Sequence, residues 1–136
     1  MILCLLFAAK EQKMKVNEAI AQVDSLRENA IDEATKRAWL TRVDQYVFDQ
    51  IISVREGAAT NVFIPYGEED GERELLIPAP YDEAYLHYLE AEIYRATREI
   101  DKYASCAALY NGVVNDYKNK YFREHRQKAI PNMRYW

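Results

Sequence analysis

Apolar residues recur at threes and fours along most of this chain, which is the helical period. Val16, Ala19, Ile20, Val23 and Leu26 share one face of a first helix, from Asn17 as N-cap to Arg27, and the pattern stops near Glu28-Asn29. A second helix is predicted after Asp32, an N-cap with Glu33 in the first turn. Its stripe is Ala34, Ala38, Leu40, Val43, Val47, Ile51 and Val54, widened by Trp39, Tyr46 and Phe48, and Gly57 is a C-cap candidate. A third helical region opens behind Pro80-Tyr81 with Asp82 as N-cap. From Leu86 its apolar positions are Leu89, Ile93, Ala96, Ile100, Tyr103, Ala107, Tyr110, Val114, Tyr117 and Tyr121, alternating threes and fours. One unbroken helix of that length runs about 60 Å, long for so small a domain. A helical hairpin bent near Thr97-Arg98 lets each arm bury its stripe on the other and is the favoured reading, with a kinked continuous helix as the alternative.

Residues 58–80 break the period. Val62-Phe63-Ile64 and Leu75-Leu76-Ile77 bracket YGEEDGERE, and Asp70-Gly71 is a turn signal. Pro65, Pro78 and Pro80 exclude helix and disfavour a central strand, so a small β-hairpin or two extended arms are expected. The fold class is therefore all-α: a small bundle of about four helices, the last two a long hairpin or kinked helix, with a protruding loop or small β-hairpin at about 58–80.

Composition narrows this further. The chain has 136 residues, enough for one domain, with 49% hydrophobic and 29% charged residues and only four Gly and four Pro, too few turn formers for a β-sandwich. Residues 1–65 carry a net charge of −1 from 9 acids and 8 bases, residues 66–99 carry −7 from 10 and 3, and residues 100–136 carry +4 from 3 and 7. An acidic middle and a basic end suit head-to-tail contact between copies or docking on a charged partner, and equally suit two solvated faces. MILCLLFAA is too short to span a bilayer and lacks the positive start of a signal peptide. Met14 stands directly before the first helix. Residues 1–13 are expected to be a non-native or disordered leader, with a buried N-terminal arm as the alternative, residues 14–126 a single helical domain, and 127–136 a basic tail.

No catalytic constellation stands out. Cys4 and Cys106 form neither a zinc spacing nor a disulfide framework, which fits a reduced compartment. Glu83, His87 and Glu90 share a helical face, yet a di-iron bundle needs Glu-x-x-His twice, so a surface cluster is the expectation. There is no Gly-rich phosphate loop, and no nucleic-acid motif beyond the basic tail. The expectation is a protein without enzymatic activity, metal or cofactor. Eleven tyrosines are the compositional oddity, and Tyr103, Tyr110 and Tyr117 lie seven apart on one stripe. Such rings pair a large apolar face with a polar tip and are frequent where protein meets protein.

The stretch LLIPAPYDEAYLHYLEAEIYRATREIDKYASCAALYNGVVNDYKNKYFREH resembles the small head–tail connector (neck adaptor) proteins of tailed phages and of prophages in Gram-positive bacteria. Its family-like pieces are Leu76-Ile77-Pro78-Ala79-Pro80-Tyr81-Asp82, Tyr88-Leu89-x-Ala91, Glu99-Ile100-x-x-Tyr103, Ala108-Leu109-Tyr110-Asn111 and the run Tyr117 to Phe122. VNEAI, VDSLREN and TKRAWLTRVDQ are similar to the start of the same proteins, so the resemblance covers about residues 14–126. Two departures are Arg98, where relatives tend to carry Gly, and Cys106-Ala107 in place of a more polar pair. The resemblance implies a virion protein made in the bacterial cytoplasm. It would assemble as a homo-oligomeric ring beneath the portal protein and meet tail-side neck proteins, with DNA passing through unbound and no membrane involved. The partner contacts expected on this basis are Lys118, Lys120, Arg123, Arg126, Lys128, Tyr135 and Trp136 of the basic end, and Glu68, Glu69 and Asp70 of the acidic loop. The runner-up is a helical protein–protein interaction module.

Overall fold

The computed structural model describes residues 12–55 and 63–125. Strand β1 (Lys13–Lys15) leads straight into helix α1 (Val16–Leu26), followed by α2 (Glu33–Val47), a π-helical turn (Phe48–Ile52), a 3-10 turn (Glu68–Asp70), strand β2 (Glu74–Pro78), α3 (Glu83–Ala96) and α4 (Ile100–Glu124). The molecule is a small helical bundle carrying one two-stranded antiparallel sheet.

The core takes the centre of each predicted stripe, while Leu26, Ala34, Ala38, Tyr46 and Val54 at the stripe ends and edges are exposed, because no facing element covers them. Val16, Ala19, Ile20 and Val23 of α1 meet Leu40, Val43 and Val47 of α2, Ile51 of the π turn, Ala84, Tyr85, Leu89 and Ile93 of α3, and Val114 and Tyr117 of α4. Asp32 caps α2, its carboxylate accepting from the Thr35 N–H at 3.2 Å.

The first helix starts earlier than Asn17. Lys15 is the N-cap residue, its N–H donating to the Glu18 carboxylate at 3.1 Å. The free N–H groups of Val16 and Asn17 are met by the carbonyls of Arg73 and Gly71, each at 3.0 Å. Backbone from the acidic loop thus does what a capping side chain would do. Gly71 permits this approach, since a Cβ there would lie 2.3 Å from the Asn17 side chain.

The strand pairing also differs from the sequence reading. β2 forms where Leu75-Leu76-Ile77 predicted it, but its partner is β1, in register Lys13↔Pro78 and Lys15↔Glu74, and not the run around Phe63. The Ala79 N–H donates to the Gln12 carbonyl at 2.7 Å. Residues 12 and 13, the described end of the expected leader, are therefore bonded into the fold. Phe63 instead packs its ring between Phe48 and Tyr66.

Helices α3 and α4 fold back as a hairpin. Ring contacts Tyr88–Tyr110 and Tyr81–Tyr117 pair residues equidistant from Glu99. The turn closes as a Schellman motif: the Glu99 N–H reaches the Tyr94 carbonyl at 2.9 Å, the Arg98 N–H reaches the Arg95 carbonyl at 3.2 Å, and Arg98 takes φ 63°. A left-handed residue suffices to end α3, and here it is not glycine. Toward the turn the predicted stripe leaves the core: Ala96 is exposed and Ile100 is 62% exposed, because the hairpin tip extends past the body that would cover them. Among the described residues no helix is long and apolar enough to cross a membrane.

Candidate functional site

Two surface features stand on opposite sides of α2, and one buried carboxylate fixes the first of them. Asp44 sits inside the apolar face of α2 with no solvent exposure. It accepts from the Tyr85 hydroxyl at 2.5 Å, from the Leu76 N–H at 3.1 Å, and from the Tyr66 hydroxyl. The Tyr85 oxygen in turn accepts from the Ile77 N–H at 2.7 Å. A carboxylate in dry surroundings is tolerated only with such donors. Burial still outweighs them and pushes the Asp44 carboxyl up to about 6. The same burial, with the neighbouring carboxylate, raises both tyrosines well above their ordinary range, so they remain O–H donors. In this way α2 and α3 clamp both arms of the loop that carries the acidic turn.

That turn is a braced knob. The Gly67 N–H donates to the Asp70 carboxylate at 2.7 Å, the Asp70 N–H donates to the Gly67 carbonyl at 3.0 Å, and the Arg73 N–H donates to the Asp70 carbonyl at 3.0 Å. The Arg73 guanidinium pairs with Asp70 at 3.5 Å and lies 4.5 Å from the centre of the Tyr66 ring. Asp70 is therefore consumed within the knob. Glu68 and Glu69 point to solvent and enter no ion pair among the described residues.

Across α2, a groove of about 380 Å³ opens between that helix and the α3–α4 hairpin. Buried Val43 and Val114 lie at its base, Tyr46, Tyr88 and Tyr110 form its walls, and Arg42, Lys118, Asn111 and Asn115 add polar groups. The Tyr88 and Tyr110 rings pack 5.0 Å apart at 57°. Desolvation raises both phenols, which therefore stay protonated. The groove thus presents two cations, phenols and side-chain amides around an apolar base, a set suited to carboxylates.

The expected contact residues separate accordingly. Lys118 lines the groove. Lys120 is turned inward, 3.7 Å from Glu124 and 5.8 Å from the centre of the Tyr81 ring. Arg123 is exposed on the last turn of α4. Arg126, Lys128, Tyr135 and Trp136 lie outside the described residues. Arg42, Tyr46 and Asp44 escaped the sequence reading. Asp44 was signalled by a charge inside the stripe Leu40-Val43-Val47-Ile51, whereas Arg42 carries no local signal and depends on how α4 packs. Among the described residues no three His, Cys, Asp or Glu side chains gather into a metal-holding group, His87 with Glu83 and Glu90 included. Cys106 is half-buried and its thiol is pushed up, chiefly by burial. Against known protein families, curated proteins and solved structures, the chain finds no match.

Proposed function

We propose that this chain is a structural protein of the phage head–tail junction, assembling as a ring beneath the portal and joining the DNA-filled capsid to the tail. Its work is assembly, and DNA passes through the ring without specific contacts. The observation that carries the reading is the α3–α4 hairpin. It bears most of the connector-like pieces, from Tyr88 to Phe122, holds its tyrosines buried or half-buried, and leaves Ile100 and Leu109 exposed on a frame suited to meeting other protein. The resemblance implies the portal and tail-side neck proteins as partners, with the basic tail after Tyr121 as the arm that reaches onto the portal.

Co-sedimentation of the full chain with the portal protein of the same genome tests this. One copy bound per portal subunit is expected. A well-folded chain that does not bind would leave the second reading, a helical interaction module for another protein, which the open groove beside α2 favours. Removing residues 126–136 is expected to leave the helical circular dichroism intact while abolishing portal binding; undiminished binding would take the tail out of the interface.

A further inference from the structure

We infer that the groove beside α2 receives the acidic knob of a second copy of this chain, with Glu68 and Glu69 of one copy meeting Arg42 and Lys118 of the next. The inference rests on the ring reading above and supplies its intersubunit contact.

Charge complementarity is the first support. Two carboxylates on the knob and two cations at the groove enter no ion pair among the described residues. The Asn111 and Asn115 amides can add hydrogen bonds to a carboxylate, while the Tyr88 hydroxyl is already engaged with Arg42 and Glu92. Shape is the second. The groove holds a few side chains, at the low end of the volumes that enclose small ligands, and the knob is a single short turn. Preorganisation is the third. Asp70, Arg73 and the Asp44 clamp already fix the knob, so docking orders little further chain.

Geometry decides that the occupant is another copy. The knob leaves α2 from the side of Thr41 and Asp44, which hold Tyr66. The groove lies on the side of Arg42 and Tyr46. At 3.6 residues per turn those two directions differ by about 150° around the helix axis. A knob cannot reach the groove of its own chain, and a contact between unlike, nearly opposite patches is heterologous, the kind that closes rings.

Sedimentation velocity on the full chain reads this out. Wild type is expected to associate as concentration rises. Arg42→Glu with Lys118→Glu, and separately Glu68→Lys with Glu69→Lys, are expected to weaken that association at least about tenfold while circular dichroism stays unchanged. Mixed together, the two variants present opposite charges at both junctions, native knob in native groove and reversed knob in reversed groove, so alternating association is expected to return. A wild-type chain monomeric to about 0.5 mM, a dissociation constant weaker than about −4.5 kcal/mol of binding, overturns the contact. So does association untouched by either variant, or a mixture that fails to associate. A single-stranded oligonucleotide that binds wild type and is lost with the groove variant, self-association being unaffected, would assign the groove to nucleic acid instead. Portal co-sedimentation separates the two failures: portal binding without self-contact removes this interface alone, and self-contact without portal binding removes the connector reading.

Discussion

Neutralising Asp44 probes the buried clamp that holds the acidic knob. The folded carboxyl is pushed up to about 6 from an ordinary 3.8, first by burial, with the hydrogen bonds from Tyr66, Tyr85 and Leu76 opposing it. A raised folded value means that the native state holds a proton the unfolded chain has released between about pH 4 and 6. Asp44 therefore contributes stability that is fully present below about pH 4 and is lost as pH rises through about 6. At 1.36 kcal/mol per unit, the full swing is about 3 kcal/mol. Asp44→Asn removes the titration while keeping one carbonyl acceptor. Urea unfolding at pH 4, 5, 6 and 7 should show the stability of wild type relative to Asp44→Asn falling by about 2–3 kcal/mol from the lowest pH to the highest, other groups cancelling in the difference. Asp44→Ala is expected to be costly at every pH, at least about 3 kcal/mol, because two hydroxyls and one N–H lose their shared acceptor. A wild-type minus Asp44→Asn difference that is flat with pH, or that grows with it, would refute the reasoning.

Other outcomes follow from single positions. Tyr85→Phe leaves the Ile77 N–H without its acceptor in the dry interior and should cost about 1–3 kcal/mol in denaturant unfolding. Arg98→Gly relieves a side chain held at φ 63° and should raise stability by up to about 1 kcal/mol, seen as a higher Tm. Gly112→Ala, on an exposed face of α4 where a Cβ meets no atom within 4 Å, should add about 1 kcal/mol by helix propensity. Asp24→Asn strands the buried Lys36 ammonium and should destabilise more than Lys36→Met, which removes the charge itself.

Elements set by local period were legible in the sequence. Asp32 caps where a short polar residue precedes an apolar stripe, and the break at Thr97-Arg98 follows from two arms that must bury each other. Elements set by distant chain were not. β1 is three residues, Lys13-Met14-Lys15, too short for any alternation to register, and its partner lies some sixty residues on. The cap of α1 comes from loop carbonyls, which no side-chain pattern encodes. The knob was visible as an acidic run, but its bracing by Asp44 links residues 22 to 41 positions apart. The groove exists only because α4 returns along α3 and stands off α2, so Arg42 and Lys118 become neighbours through packing alone. The π turn after Val47 likewise interrupts a stripe that the sequence continues to Val54.

The central claim is assembly on a portal, and electron-microscopic class averages of portal rings incubated with the full chain test it most directly. The account predicts an added ring of density on the tail-facing side of the portal, with one protein copy per portal subunit and the portal's own rotational symmetry. Portal averages unchanged by a folded, saturating excess of the chain would contradict it.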